Sequence, residues 1–249
     1  MNLQLCVRDP AEAAWAVRAG AAGVEVMSAA PEVIRAAVVR LRLLRDGLVV
    51  GAGIGPLAAP TLSTVRLRVL RVAGCGVDRV RVPVPARPSS VLLLTQLGQL
   101  AREGVPVTPM LRVPLDRGDG TAWAQHLSLV VQQGFSSVLL DARGTDAQGA
   151  DLWQQQVLPV RLLGAFDSLQ RRGVLVGLMA APRRADLPQL LRWAPDEAVI
   201  DCGCEDPREG RVVDAYQFDQ WVAALKSHRA QATRTTRTTQ AESRGIMLA

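Results

Sequence analysis

The stretch TAWAQHLSLVVQQGFSSVLLD, residues 121–141, contains one unit of the pattern that decides the fold. Residues 121–133 carry apolar side chains at helical spacing, Gly134 closes the helix, and Ser137–Asp141 is a short apolar strand. A strand that is apolar at almost every position is typical of a parallel sheet covered on both faces. The stretch therefore predicts a helix that returns the chain to a parallel sheet.

Units of this kind recur about every 25 to 35 residues along the chain. Strands are predicted near Leu3–Val7, Gly23–Met27, Leu48–Gly53, Val77–Val82, Val105–Met110, Ser137–Asp141, Val174–Met179 and Ala198–Asp201. Helices are predicted near Pro10–Ala19, Pro31–Arg45, Thr61–Ala73, Ser89–Arg102, Thr121–Gln133, Leu152–Arg172, Arg183–Trp193 and Tyr216–His228. Eight parallel strands joined by helical crossovers close into a barrel without edges. The predicted fold is therefore α/β, a (β/α)8 barrel of the TIM type, formed by residues 1–228 as a single domain.

Two further features fit this pattern. Pro10 and Pro31 stand at predicted helix starts, where a missing N–H costs nothing. Six glycines follow predicted helices at the left-handed closing position: Gly20, Gly47, Gly74, Gly104, Gly134 and Gly173. The alternative fold is an open doubly wound sheet, and its dinucleotide-binding version is weakened because no G-x-G-x-x-G follows the first strand.

The charge of the chain is concentrated near its end. The formal net charge is +6, and the stretch from Lys226 onward carries five basic residues and one acid. The remainder is close to neutral and poor in aromatic residues, so no nucleic-acid partner is predicted. Residues 229–249 are polar, basic and low in complexity, and we expect them to form a disordered tail.

The sequence also excludes several other classes of protein. No stretch of about 18 uncharged apolar residues occurs, so no membrane span is predicted. Residues Met1–Val7 lead into a polar turn rather than a secretory signal, and we expect a cytoplasmic protein. No G-x-S-x-G or Walker motif supports a hydrolase or a nucleoside triphosphatase.

The reacting groups of such a barrel lie at the carboxyl ends of its strands. Polar side chains predicted there include Glu25, Arg81, Arg112 and Asp141. Arginines and carboxylates around one mouth suit an anionic small molecule and acid–base assistance. Asp141 is the strongest candidate, because it ends an apolar strand just before a long loop. Glu25 and Arg81 are equally consistent with a structural ion pair inside the barrel.

A pair of cysteines follows the eighth predicted strand. Cys202 and Cys204 form a C-x-C motif, but a zinc site needs two more ligands and the chain has two histidines, His126 and His228. We therefore predict no metal and interpret the cysteines as a reduced pair in a loop.

These positions lie in segments that resemble the (5-formylfuran-3-yl)methyl phosphate synthase family, α/β-barrel lyases that make the furan precursor of methanofuran. The resemblance covers about residues 3–225. The segments that carry it are LCVRDPAEA (5–13), AGAAGVEVM (19–27), GAGIG (51–55), AGCGVDRVRV (73–82), VLLD (138–141) and GVLVGLMAA (173–181). The resemblance implies an aldolase-like reaction without a cofactor: a lysine forms an imine with one triose phosphate, a second triose phosphate condenses, and phosphate and water are lost.

The chain departs from the family at its lysines. Met27 stands at the lysine of the second strand, and Thr145 stands at the lysine that follows the sixth. A third family lysine corresponds to Arg81, which keeps the charge but cannot form an imine. Because no lysine precedes Lys226, no lysine imine is available anywhere in the barrel.

The resemblance also implies which residues hold phosphate. The family's Ala-Gly-Ser cradle corresponds to residues 179–181, which here end in Ala180 and Ala181. An arginine after the eighth strand is replaced by Asp201, whereas a later one is retained as Arg211. The resemblance, combined with the positions at the mouth, makes Arg81, Arg112 and Arg211 candidate phosphate ligands, with Glu25 and Asp141 as acid and base.

Three functional hypotheses follow. The first is a diverged family member in methanofuran and tetrahydromethanopterin metabolism that works without a lysine imine on a phosphorylated small molecule. The second is a catalytically silent barrel that acts as a partner or regulatory subunit of an active paralogue or of another enzyme of the pathway. The barrel is compatible with a homo-oligomer as well as with such a hetero-oligomer. The third is a different reaction on a phosphorylated molecule, with Cys204 as nucleophile; no histidine lies near it in sequence to activate it.

Overall fold

Eight parallel strands close into one barrel, with helices between them. The computed structural model describes residues 1–56, 61–85, 87, 89–113, 120–142, 157–180, 187–201, 203–206, 210–213, 216 and 218–224. The strands are β1 (Asn2–Val7), β2 (Gly23–Val26), β3 (Val49–Gly53), β4 (Arg79–Val84), β5 (Val107–Arg112), β6 (Ser137–Asp141), β7 (Leu175–Ala180) and β8 (Glu197–Ile200). The helices are α1 (Pro10–Ala19), α2 (Pro31–Leu44), α3 (Leu62–Ala73), α4 (Ser90–Arg102), α5 (Gly120–Gln132), α6 (Val157–Gln170) and α7 (Leu187–Trp193). Each strand pairs in parallel with the next, and β8 pairs with β1. The predicted TIM-type (β/α)8 fold is confirmed.

Side chains alternate between two cores along the strands. Outward residues such as Leu5, Val50 and Leu140 are fully buried in one apolar core beneath the helices. Inward residues face the barrel axis, where Cys6, Leu139, Met179 and Val199 form a separate apolar cluster with Met110. Both faces of the strands are covered, as expected for a parallel sheet, and neither faces solvent.

The first helix begins as its sequence predicts. The Asp9 carboxylate accepts hydrogen bonds from the backbone N–H groups of Ala11 (2.7 Å) and Glu12 (2.9 Å), and Pro10 occupies the first turn. The helix ends at Gly20, whose φ of 96° is left-handed. The turn from β1 to α1 lies at the carboxyl ends of the strands, which is the side of the barrel where the site is expected.

One of the glycine predictions is wrong. Gly74 follows α3 with a right-handed φ of −65°, and the left-handed residue is Gly76, with a φ of 85°. The chain makes a longer turn between α3 and β4, which accordingly begins at Arg79 rather than near Val77. Among the other predicted positions, Gly20, Gly47, Gly104, Gly134 and Gly173 all have positive φ.

A two-stranded antiparallel hairpin after the barrel was not predicted. It consists of β9 (Gly203–Asp206) and β10 (Gly210–Val213). Both strands are short and stand outside the parallel sheet, so neither has the apolar run that identified the barrel strands. A helical segment at residues 216 and 218–224 follows, and the predicted tail, residues 229–249, lies outside the described residues. Within the described part of the chain, no helix has the length and apolar character needed to span a bilayer.

His126 is a buried titratable group on α5. Its side chain is 2% exposed, its ring donates to the backbone carbonyl of Arg87, and its Nε2 has no partner among the described residues. Burial lowers the pKa of His126, because an imidazolium would lose its hydration; the hydrogen bond to Arg87 opposes this effect.

We predict that this histidine makes stability depend on pH. The lowered pKa means that the unfolded chain binds more protons, so its contribution is present above the ordinary histidine pKa of about 6.5 and is lost as the pH falls below it. The His126→Gln variant is expected to lose less free energy of unfolding between pH 7.5 and 5.5 than the native protein does, measured by urea denaturation. A Gln125→Ala control, at an exposed position on the same helix that does not titrate, keeps the native slope. Equal slopes in the native and His126→Gln proteins contradict the prediction.

Candidate active site at the barrel mouth

Glu25 and Arg81 form a buried ion pair on the barrel axis. Glu25 lies on β2 and Arg81 on β4, and the Arg81 Nε donates to the Glu25 Oε2 at 3.2 Å. Both side chains are 2% exposed. The structural ion pair that the sequence left open is therefore present, and it joins two strands that are not direct neighbours in the sheet.

Two more charged side chains extend this pair toward the amino ends of the strands. The Arg81 Nη2 lies 3.5 Å from both the Gln4 Oε1 and the Glu197 Oε2. Arg79 also donates to the Glu197 Oε2. We call Glu25, Arg79, Arg81 and Glu197 the axial cluster; it contains equal numbers of positive and negative groups.

Glycines make room for the axial cluster. A Cβ atom at Gly51 would collide with the Glu25 Oε2. At Gly177 a Cβ atom would meet the Leu139 Cδ1 at 2.8 Å and the Glu197 Oε2 at 3.7 Å. Both positions face the barrel interior, where the Glu25 carboxylate fills the space at Gly51 and the Leu139 side chain fills it at Gly177.

Burial changes the electrostatics of Glu25. Removal from water raises the pKa of its carboxyl group, the Arg81 guanidinium acts in the opposite direction, and the Glu197 carboxylate adds to the rise. Arg81 also has a buried Nη1 without a partner among the described residues. A carboxyl with a raised pKa beside one unpaired donor, below a cavity, makes this pair a candidate functional site.

A cavity of about 310 Å³ opens above this pair, on the carboxyl side of β2, β3 and β4. Its described lining consists of Glu25, Val26, Met27, Ser28, Ala29, Gly53, Gly55, Pro56, Arg81, Pro83, Met110 and Met179. The walls are largely apolar, and the charged groups lie at the floor. The cavity is at the end of the barrel where the active sites of this fold occur.

The mouth brings some of the other predicted residues together. Arg112 ends β5 and is exposed, and its Cα is paired across the sheet with that of Asp141, which ends β6 and is 9% exposed. Met27 is 41% exposed and lines the cavity. Glu25 and Asp141, predicted as acid and base, thus lie at different depths: Glu25 at the floor and Asp141 at the rim.

Other predicted residues fall outside what the structure describes. Thr145, Ala181 and Cys202 are not among the described residues. Ala180 ends β7, and Arg211 and Cys204 lie on β10 and β9; their backbone positions are given, but their side chains are not described. Within the described residues, no group of three or more metal-ligating side chains is present.

Sequence reasoning missed Gln4, Arg79 and Glu197. They lie toward the amino ends of β1, β4 and β8, whereas the sequence-based prediction selected residues at the carboxyl ends of the strands. The strand period could have found Arg79, because it stands two residues before Arg81 and so faces the same side of the sheet. No comparable signal marks Glu197 or Gln4.

Comparisons with known proteins identify solved structures that share the barrel fold. No protein-family model and no curated protein matches the sequence. Similar solved structures include phosphoribosyl anthranilate isomerase from Thermus thermophilus, with 15% identity, a TM-score of 0.56 and coverage of 91% of this chain and 99% of that one. An HpcH/HpaI aldolase from Desulfitobacterium hafniense DCB-2 has 14% identity, a TM-score of 0.60 and coverage of 95% and 92%. An aldolase named QR15 has 12% identity, a TM-score of 0.61 and coverage of 92% and 96%. At these identities the likeness shows a shared barrel fold.

We predict that Gly51 and Gly53 respond differently to an added methyl group. Gly51→Ala places a Cβ atom against the Glu25 carboxylate and is expected to lower the free energy of unfolding by about 1–3 kcal/mol. Gly53→Ala is the matched control, because its Cβ atom would meet no described atom closer than the Gly55 nitrogen at 3.9 Å. Its stability is expected to stay within about 1 kcal/mol of native. Equal losses in guanidinium denaturation contradict the described position of Glu25.

Proposed function

We propose that this chain is a lyase of the aldolase-like kind, related to the (5-formylfuran-3-yl)methyl phosphate synthases, that acts on a phosphorylated carbonyl compound without a lysine imine. The segments that resemble this family are the reason for proposing a role in methanofuran biosynthesis, in the cytoplasm. The barrel fold, shared with structures named as aldolases, is compatible with this reaction. The observation that carries the proposal is the Glu25 carboxyl at the floor of the mouth cavity.

Glu25 is suited to transfer a proton. Its pKa is raised by burial, which brings the carboxyl closer to the neutral pH at which acid–base catalysis is most effective. Arg81 fixes its orientation through the Nε contact at 3.2 Å. A carboxyl group in this setting can take a proton from the carbon next to a carbonyl group and return it to a leaving oxygen.

The rim supplies a cation for the phosphate. Arg112 is exposed at the carboxyl end of β5, and its guanidinium can bind a phosphate oxygen pair. Asp141 is paired with it across the sheet and is placed to assist as a second acid or base at the rim. Met27 lines the cavity where the family has its imine-forming lysine, so the carbonyl group has to be activated by hydrogen bonds.

We predict that the protein converts glyceraldehyde 3-phosphate to the furan product and releases inorganic phosphate, with no adduct trapped by borohydride. The measurements are furan absorbance, phosphate release and intact mass. Glu25→Gln is expected to lower the rate by about 10²–10⁴, the usual contribution of a general acid or base. No turnover, or a borohydride-trapped adduct on the native barrel, contradicts the proposal.

Two variants control this experiment. Glu197→Gln also removes one negative charge from the axial cluster, but Glu197 is not among the residues that line the cavity. This variant is therefore expected to lower the rate much less than Glu25→Gln does. Met27→Lys restores an amine in the cavity wall and is expected to give a trapped adduct with the same substrate. It therefore shows that the trapping reagent reaches the site.

A second function, a silent partner of an active paralogue, is favoured by the outer face of α2. Val39 is 56% exposed and Leu43 is 84% exposed along a groove of about 850 Å³, with the exposed Arg35 and Arg40 on either side. Exposed apolar side chains in a row with charged flanks are typical of a protein interface.

We predict that, if the chain is such a partner, Val39→Asp/Leu43→Asp weakens its binding to a lysine-bearing family member at least tenfold. The measurement is isothermal titration calorimetry with the two purified proteins. Leu92→Asp on α4 is the matched control, because Leu92 is 65% exposed on another helix. Absence of binding by the native chain, or equal weakening by the control, contradicts the partner function.

A further inference from the structure

The layer of side chains above the Glu25–Arg81 pair has one gap. The strand register and the alternation of side chains place Cys6, Gly53, Met110 and Met179 at one level of the barrel, next to the level of Glu25 and Arg81. Three of these positions carry side chains, and Gly53 carries none. The gap connects the mouth to the charged pair.

Neither the backbone nor crowding requires a glycine at this position. Gly53 is not among the glycines with positive φ, and a Cβ atom there would have the Gly55 nitrogen, at 3.9 Å, as its nearest described neighbour. Gly51, one step below on the same face of β3, is different because Glu25 fills its space. Within the described part of the chain, the missing side chain at 53 therefore leaves open space, and we call this space the Gly53 shaft.

Arg81, one level below the shaft, has a donor without an acceptor among the described residues. Arg81 lines the cavity, and its buried Nη1 has no hydrogen-bond partner among the described residues. A buried polar group left unpaired is destabilising, so an oxygen atom that reached it would be stabilised. Met110 and Met179 border the approach, and methionine adapts its shape to a neighbour more readily than other apolar side chains.

We propose that the Gly53 shaft is the subsite for the carbonyl end of the substrate, whose oxygen accepts a hydrogen bond from Arg81 while the phosphate stays at the mouth. This assignment rests on the proposed function, because it takes the ligand to be a phosphorylated carbonyl compound. It makes Gly53 a specificity-determining residue: the shaft admits a narrow, unbranched carbonyl end.

Charge and shape decide which end of the ligand enters. The axial cluster contains two arginines and two glutamates and is balanced, so an uncharged carbonyl group adds no uncompensated charge to the barrel interior. A phosphate would bring up to two negative charges beside Glu25 and Glu197. It is also a tetrahedral group, wider than the space left by one missing side chain.

The test uses the methyl signals of methionine in the full-length protein. Met110 and Met179 border the shaft, and their ¹³C-labelled methyl groups report on its occupation. Dihydroxyacetone phosphate is expected to shift both signals saturably, whereas inorganic phosphate leaves them in place. Gly53→Val is expected to weaken the binding of dihydroxyacetone phosphate at least tenfold and to abolish the shifts of the Met110 and Met179 signals.

Gly164→Val is the matched control, because Gly164 lies on α6 with no described atom within 4 Å of its added Cβ. It is expected to bind within twofold of native. If Gly53→Val fails to fold, Gly53→Ala is measured instead, and it is expected to weaken the binding of dihydroxyacetone phosphate by a smaller factor. The proposal is overturned if dihydroxyacetone phosphate leaves the two signals unmoved, if Gly53→Val binds as tightly as native, or if inorganic phosphate moves the same signals.

The outcome is separable from that of the proposed function. Shifts that depend on Gly53, without turnover of glyceraldehyde 3-phosphate, retain the subsite and reject the lyase reaction. Turnover without these shifts retains the reaction and rejects the subsite.

Discussion

The ion pair between Glu25 and Arg81 organises the interior of the barrel. Charges removed from water are stable only when each has a partner, and loss of one partner of such a pair costs about 3–5 kcal/mol. Arg81 therefore needs Glu25 and Glu197, and Glu197 in turn is held by Arg79. This requirement divides the interior into a charged lower part and an upper part bordered by methionines, with the cavity above the boundary.

The fold could be predicted because its signals are local and repeated. Strands covered on both faces have to be apolar at nearly every position, and helices that return to the sheet end at glycine, as at Gly134. The prediction failed where a signal was ambiguous or absent. Gly74 and Gly76 both follow α3, and the sequence does not say which takes the left-handed turn. The hairpin β9–β10 stands outside the sheet and lacks the apolar run of a barrel strand.

The candidate site could be predicted only in part, for a similar reason. Glu25, Arg81, Arg112 and Asp141 were found because strand ends carry the chemistry of barrels. Whether Glu25 meets Arg81 depends on the stagger between strands, which the sequence does not contain. The contacts of Glu197 depend on the same stagger, and its position at the beginning of β8 gave no reason to select it. The absence of lysine from the barrel, by contrast, is certain from the sequence and removes one mechanism by itself.

The glycines that accommodate the axial cluster also restrict how this barrel can change over generations. A side chain at Gly51 becomes tolerable only after Glu25 has been shortened, and shortening Glu25 first leaves Arg81 short of a partner. Gly177 is restricted by a different neighbour, because a Cβ atom there would meet the Leu139 side chain. Single substitutions in this region therefore pass through a less stable intermediate. Glu25, Arg81 and Gly51 are therefore expected to persist in related sequences as a block that is inherited or replaced together.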